Sequence, residues 1–133
     1  MTSGSTKLSH TLPLPRLRRM TEYITTHLGE DLTLARLGAV ACMSPYHFAR
    51  LFQRSTGLPP HRFVVRARVD HAAVLLAAPV LRIAEISRAL GFRSPSHFST
   101  VFRRVMGVTP CAYRAAQRRT DVPLQGGDRD GME

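Results

Sequence analysis

The sequence predicts an all-α fold: seven helices, arranged as two copies of a helix-turn-helix unit joined by a linker helix. Three observations carry that prediction. At an offset of 50, SPYHFARLFQRSTGLPPHRF aligns with SPSHFSTVFRRVMGVTPCAY, pairing Ser44/Ser94, Pro45/Pro95, His47/His97, Phe48/Phe98, Phe52/Phe102, Arg54/Arg104, Gly57/Gly107 and Pro60/Pro110. Upstream, an offset of 49 aligns LARLGAVACM with IAEISRALGF. Both copies carry the same helix punctuation, and no segment alternates apolar and polar residues convincingly enough to be a strand.

The elements follow in order. Residues 1–13 are Ser/Thr-rich with a Pro-Leu-Pro step and read as a flexible arm, because they offer too little apolar area to offset the entropy of ordering. The first helix is expected over Leu17–Leu28. Thr33 caps a second, Leu34–Ala41, with Leu34, Leu37 and Val40 or Ala41 on one face. Ser44 and Ser94 are good N-caps, each followed by proline at the first helical position, where the missing N–H has no partner to lose. Gly57 and Gly107 fall just past the last apolar-periodic residue, at the position that favours a left-handed backbone. Helices are therefore expected at 45–56 and 95–106, anchored by Phe48, Leu51 and Phe52 in one and Phe98, Val101 and Phe102 in the other. Pro60 opens the linker, FVVRARVDHAAVLLAA, to about residue 78. A helix over Leu81–Leu90 repeats the second, and Thr109–Pro110 open the last. The two helix-turn-helix segments are thus about 33–57 and 81–107, the folded body is 14–117, and 120–133 reads as a disordered acidic tail.

Charge narrows the partner. The chain of 133 residues carries 19 basic and 9 acidic side chains, a formal +10, and 44% hydrophobic residues, enough for one compact core. Residues 16–119 hold 17 arginines against 5 acids, a net +12, whereas 120–133 is net −3. Such a balance points to a polyanion, nucleic acid or an anionic surface. All the basic residues except Lys7 are arginines, planar forks that bind phosphate or guanine in two-pronged fashion. No run of 18 apolar residues and no signal-peptide core is present, and Cys42 and Cys111 form no CxxC pair. A soluble protein of the reducing cytoplasm is expected. The few acids show no active-site spacing, and no phosphate loop or metal motif occurs, so neither an enzyme nor a cofactor is expected.

In a helix-turn-helix unit the second helix enters the major groove, so its outer face should hold donors and small groups. On the first copy Tyr46, Ala49, Arg50 and Gln53 lie opposite the phenylalanines. Arginine can pair with guanine, glutamine with adenine, and an alanine methyl with the thymine methyl. On the second copy the equivalents are Ser96, Ser99, Thr100 and Arg103, hydroxyls that tolerate several bases and predict more permissive readout. His47, Arg54, His97 and Arg104 flank these faces and suit phosphate contacts, as do the helix starts at Ser44 and Ser94. Packing or capping near the helix start is the competing role for the two histidines, and packing along its own helix is the competing role for Tyr46.

The segments LTLARLGAVACMSPYHFARLFQRSTG, FVVRARVDHAAVLL and RIAEISRALGFRSPSHFSTVFRRVMGVTPCAYR resemble the DNA-binding domain of AraC/XylS-type transcription regulators over roughly residues 16–117. The stretch GF-x-S-x-S-x-F-x-x-x-F-(x)4-G-(x)2-P-(x)2-YR is the most specific part. The resemblance implies two homeodomain-like three-helix subdomains, a linker helix with matches at Arg68, Ala72, Leu75 and Leu76, binding to double-stranded promoter DNA, and control of transcription, usually activation through RNA polymerase. It implies a cytoplasmic, nucleoid-associated protein with no membrane partner. Most members also carry an effector-binding and dimerisation domain, for which 133 residues leave no room. The sequence thus resembles the minimal stand-alone members, or a fragment of a longer regulator.

The departures from the family pattern fall in the helix and turn that precede the serine caps. Alanine usually stands where this chain has Gly38 and Ser87, and glycine inside a helix costs about 1 kcal/mol relative to alanine. Glycine usually stands where this chain has Cys42, whereas Gly91 is kept; a left-handed Cys42 would store about 1–2 kcal/mol of strain, making the first unit the looser one. A linker over residues 60–78 would span about 27 Å, against about 34 Å between successive major grooves. Tandem copies have no two-fold relation, so an asymmetric site bound by a monomer is expected. The alternatives are an architectural, non-specific nucleic-acid binder and a truncated regulator acting as a protein-interaction module.

Overall fold

A computed structural model of the chain describes residues 11–121, and within them the secondary structure is seven helices and no strand. These are α1 (Leu14–Thr26), α2 (Leu34–Val40), α3 (Pro45–Thr56), α4 (Pro60–Ala77), α5 (Ile83–Ala89), α6 (Pro95–Met106) and α7 (Pro110–Asp121). They form two compact units that divide between Arg68 and Val69, so α4 contributes its first half to one unit and its second half to the other.

In the first unit α3 buries Phe48 and Phe52 completely, together with Leu51, and Met20 and Ile24 of α1, Leu37 of α2 and Val64 of α4 are buried as well. Phe52 meets Phe63 edge to face, with centroids 5.1 Å apart. The second unit repeats the scheme with Phe98, Val101 and Phe102 on α6. There Phe102 meets Tyr113 in the same edge-to-face manner at 5.6 Å. Phe63 and Tyr113 are separated by the same 50 residues as the rest of the repeat, so the start of α4 closes the first unit as α7 closes the second. Each buried ring contributes about 1.5–3 kcal/mol of transfer free energy.

Arginines finish both units in a way the repeat alone does not reveal. Arg68, on the closing helix of the first unit, donates from Nε to the Leu28 carbonyl at 2.9 Å and from Nη2 to the Glu30 carbonyl at 2.8 Å, catching the chain as it leaves α1. Burial pushes its pKa below the ordinary guanidinium value, and the charge of Asp31 opposes that shift. Arg114 does the same in the second unit, donating to the carbonyls of Leu76 at 3.0 Å and Ala78 at 3.1 Å at the end of α4. Carbonyls at a helix end have no intrahelical donor, and a fixed cation there satisfies both hydrogen-bond and dipole demands.

The turn before α3 and that before α6 are each a Schellman motif. In the first unit the Met43 N–H bonds to the Gly38 carbonyl at 2.8 Å and the Cys42 N–H to the Ala39 carbonyl at 3.1 Å. In the second, Phe92 pairs with Ser87 at 3.0 Å and Gly91 with Arg88 at 3.1 Å. The residue at the sharp corner is left-handed in both, with φ 81° at Gly91 and φ 60° at Cys42. The strain expected at Cys42 is therefore present. Gly38 corrects the other expectation: a Cβ there would lie 2.9 Å from the Met43 carbonyl oxygen and 3.2 Å from the Pro45 Cα. Glycine at this point permits the close approach of α2 to the following turn, so alanine would collide instead of stabilising.

Several boundaries differ from the sequence expectation. Helix α1 begins at Leu14, three residues early, because Pro15 sits in its first turn, where proline fits; it stops at Thr26, leaving buried Leu28 in the loop beyond. Helix α5 begins at Ile83 with Arg82 as N-cap, its backbone N–H bonded to the Glu85 carboxylate at 2.7 Å in place of the side-chain cap that Thr33 supplies to α2. Within the stretch read as a flexible arm, Leu12 is 4% exposed and its N–H bonds to Ser55 Oγ at 2.8 Å. Helix α7 continues to Asp121, into the stretch read as tail. The remainder of the arm, residues 1–10, and of the tail, residues 122–133, lies outside the described residues.

Two substitutions four residues apart should act with opposite sign. Gly38→Ala is expected to lower unfolding free energy by about 1–3 kcal/mol through overpacking, and Cys42→Gly to raise it by about 1 kcal/mol by relieving the left-handed strain. The shift of the urea midpoint at unchanged slope measures both.

Candidate nucleic-acid interface

Helix α3 exposes the side opposite its phenylalanines because those rings, and not the polar residues between them, can fill the core. Ser44 starts the helix: its Oγ accepts the His47 N–H at 3.1 Å, and Pro45 follows. Gly57, φ 87°, ends it, with its N–H bonded to the Gln53 carbonyl at 2.7 Å. Helix α6 has the same frame, with Ser94 Oγ accepting the His97 N–H at 3.0 Å and Gly107 left-handed at φ 86°. Capping occupies one acceptor lone pair of each serine and leaves its O–H available as a donor.

On α3 the four expected reading residues do share the outer side. Tyr46 is 71% exposed, Arg50 and Gln53 are exposed, and Ala49 is half-buried beneath them. The Arg50 guanidinium lies over the Tyr46 ring, 5.6 Å from its centroid, a cation–π contact that holds the fork in place without consuming its hydrogen-bond donors. Tyr46 thus packs along its own helix and stays exposed. Arg50, Gln53, Arg54 and Gly57 line one shallow, open concavity.

On α6 the matched face is plainer. Ser96 and Thr100 are exposed, Ser99 is half-buried, and Arg103 is exposed. Thr100 Oγ1 donates back to the Ser96 carbonyl at 3.1 Å, so its proton is already used within the helix. Arg54 and Arg104, the flanking arginines, are both exposed. The two flanking histidines differ: His47 is exposed, whereas His97 is half-buried, edge-on to Phe92 at 5.9 Å, with Nδ1 buried and without a hydrogen-bond partner among the described residues. His97 is therefore in part a packing residue.

Sequence reasoning missed a group of arginines committed to the fold. Besides Arg68 and Arg114, Arg36 donates from Nε to Tyr23 Oη at 2.8 Å and from Nη2 to the Glu30 carboxylate, and lies over the Tyr23 ring. The hydrogen bond from Arg36 holds the Glu30 carboxyl below its ordinary pKa, and the bonds to Glu30 and Tyr23 raise that of Arg36. A pair at the offset of Tyr23 and Arg36, or a donor 36–40 residues from its carbonyl, leaves no periodic trace in the sequence. Among the described residues no group of three or more His, Cys, Asp or Glu is placed to hold a metal, and no helix is long and apolar enough to cross a membrane.

Two units, each presenting an uncovered second helix behind a Schellman turn, define the protein as one of the helix-turn-helix class. A helix-turn-helix domain family matches residues 37–116, and the chain belongs to the AraC/XylS family of helix-turn-helix transcription regulators, which are not enzymes. It is 38% identical over 99 residues to the regulatory protein PocR of Salmonella typhimurium, covering 74% of this chain and 33% of that protein. It is 30% identical over 113 residues to the arabinose operon regulatory protein of Escherichia coli, covering 83% of this chain and 39% of the relative. The chain thus spans little more than a third of the length of these curated relatives. Among solved structures, the DNA-binding domain of AdpA, crystallised with a target DNA, superposes with a TM-score of 0.74 at 36% identity, over 80% of this chain and 96% of that one.

The frame of α3 is testable without any ligand. Ser44→Ala is expected to cost about 1 kcal/mol of stability, and Ser44→Gly only a few tenths; thermal or urea unfolding of the two variants measures the difference.

Proposed function

We propose that this chain is a sequence-specific DNA-binding transcription regulator that reads two adjacent major-groove segments of an asymmetric promoter site as a monomer. One observation carries the reading: the same capped helix occurs twice, its aromatic side buried and its other side left to donors, with Tyr46, Ala49, Arg50 and Gln53 on one copy and Ser96, Ser99, Thr100 and Arg103 on the other. The likeness to the AdpA domain, whose structure contains target DNA, supports it. In this reading the exposed, ring-supported Arg50 pairs with guanine and Gln53 with adenine. Arg54, Arg104, His47, the accessible part of His97 and the helix starts at Ser44 and Ser94 hold phosphates. Activation proceeds through contact with RNA polymerase, a role exercised at the nucleoid in the cytoplasm.

The hydroxyl-rich face of α6, one of whose protons is turned back on the helix, favours weaker base discrimination there. Were neither face selective, the protein would be an architectural binder; were DNA not bound at all, a protein-interaction module would be the remaining role. Selection of bound duplexes from a random library separates these outcomes, because it reports specificity, site length and symmetry together.

Within that experiment Arg50→Ala is expected to cost about 1–3 kcal/mol and to relax one base position, whereas Arg54→Ala weakens all sequences alike. With six to eight phosphates neutralised, the logarithm of affinity should fall against the logarithm of salt with a slope of about −5 to −7, measured by titration at several salt concentrations.

A further inference from the structure

The two units part company at the turn. Arg88 stands in the last turn of α5 where the first unit has Ala39 in α2, and Arg93 is an additional residue between Phe92, the match of Met43, and the Ser94 cap. The remainder of the motif is kept: the same pair of Schellman hydrogen bonds, the same left-handed corner and the same serine cap. Arg88 and Arg93 are both exposed, and neither guanidinium has a hydrogen-bond or ion-pair partner among the described residues. This sets them apart from Arg36, Arg68 and Arg114, whose forks are spent on carbonyls, a phenol and a carboxylate.

Exposed cations that the fold does not use, flanking the entrance to a helix whose own outer face is short of long donors, have the chemistry of a backbone grip and not of base readout. Both residues precede the cap, outside the stretch of α6 that carries its reading residues. We propose that Arg88 and Arg93 form a phosphate clamp that belongs to the second unit alone, so that this unit contributes mainly sequence-independent holding while the first contributes discrimination. The inference rests on the DNA-binding reading given above, and it adds two ligand-holding residues to that reading.

The test compares the full chain with Arg88→Ala/Arg93→Ala and Arg88→Lys/Arg93→Lys, using duplexes selected by the unaltered protein and random duplexes of the same length. Each neutralised phosphate contributes about 0.9 to the salt slope. The alanine pair should therefore make the slope about 1.8 less steep, reduce affinity for selected and random duplexes by the same factor, and leave the selected sequence unchanged. The lysine pair, which keeps the charge as a point, should retain most of the slope. Unchanged slope and affinity in the alanine pair overturn the clamp, as does a relaxed base preference or a lysine pair as defective as the alanine pair, since either would mean shape-specific base contact. If the unaltered chain itself binds no duplex, the failure is that of the DNA-binding reading, and the two results are distinguishable.

Discussion

Burial of Phe48 and Phe52 on one side of α3, and of Phe98 and Phe102 on the matched side of α6, decides which face of each helix water can reach. These rings are the largest side chains fully withdrawn from solvent, and truncating any one of them to alanine belongs to the class of change that costs about 3–5 kcal/mol. With them in place the helix cannot rotate about its axis, because any rotation would pull a ring out of a close-packed core. The polar residues between them are thereby aimed outward as a set. Caps and left-handed ends then fix where each helix begins and stops, and the Schellman turn fixes how the preceding helix meets it. What the outer face can recognise is thus a consequence of what the inner face must hide.

The two copies have diverged at the turn, and the divergence has a steric logic. The left-handed corner is occupied by glycine in the second unit and by cysteine in the first. The first unit places its glycine four residues earlier instead, where any Cβ would press on the Met43 carbonyl. The second has Ser87, fully buried, at that earlier position. One corner is relaxed in its dihedral angles and fuller in its packing; the other is strained in its dihedrals and closer in its approach. Equivalent hydrogen bonds are reached by both routes.

Much of this was legible in the sequence because the relevant signals are local. Ser44–Pro45, Gly57, Ser94–Pro95 and Gly107 bound α3 and α6 at the residues expected, since a cap and a left-handed terminus act within one turn of the helix. The periodic phenylalanines gave the buried side correctly. Less local facts did not show. The start of α1 was obscured by prolines that break a helix in its interior but suit its first turn. The burial of Leu12 depends on Ser55, 43 residues away. Arg68 and Arg114 bond to main-chain carbonyls, which have no letter in the sequence, and the crowding around Gly38 is a matter of distances. The composition therefore overstated the cations available at the surface: Arg36, Arg68 and Arg114 serve the fold itself.

The cations that do remain exposed on the described residues are all arginines, because the single lysine of the chain, Lys7, precedes them. An ε-amine is the target of acetylation, which erases a positive charge, whereas methylation of a guanidinium preserves the charge and only blocks part of its fork. Acetylation of lysine therefore cannot neutralise any cation on the described residues of either unit.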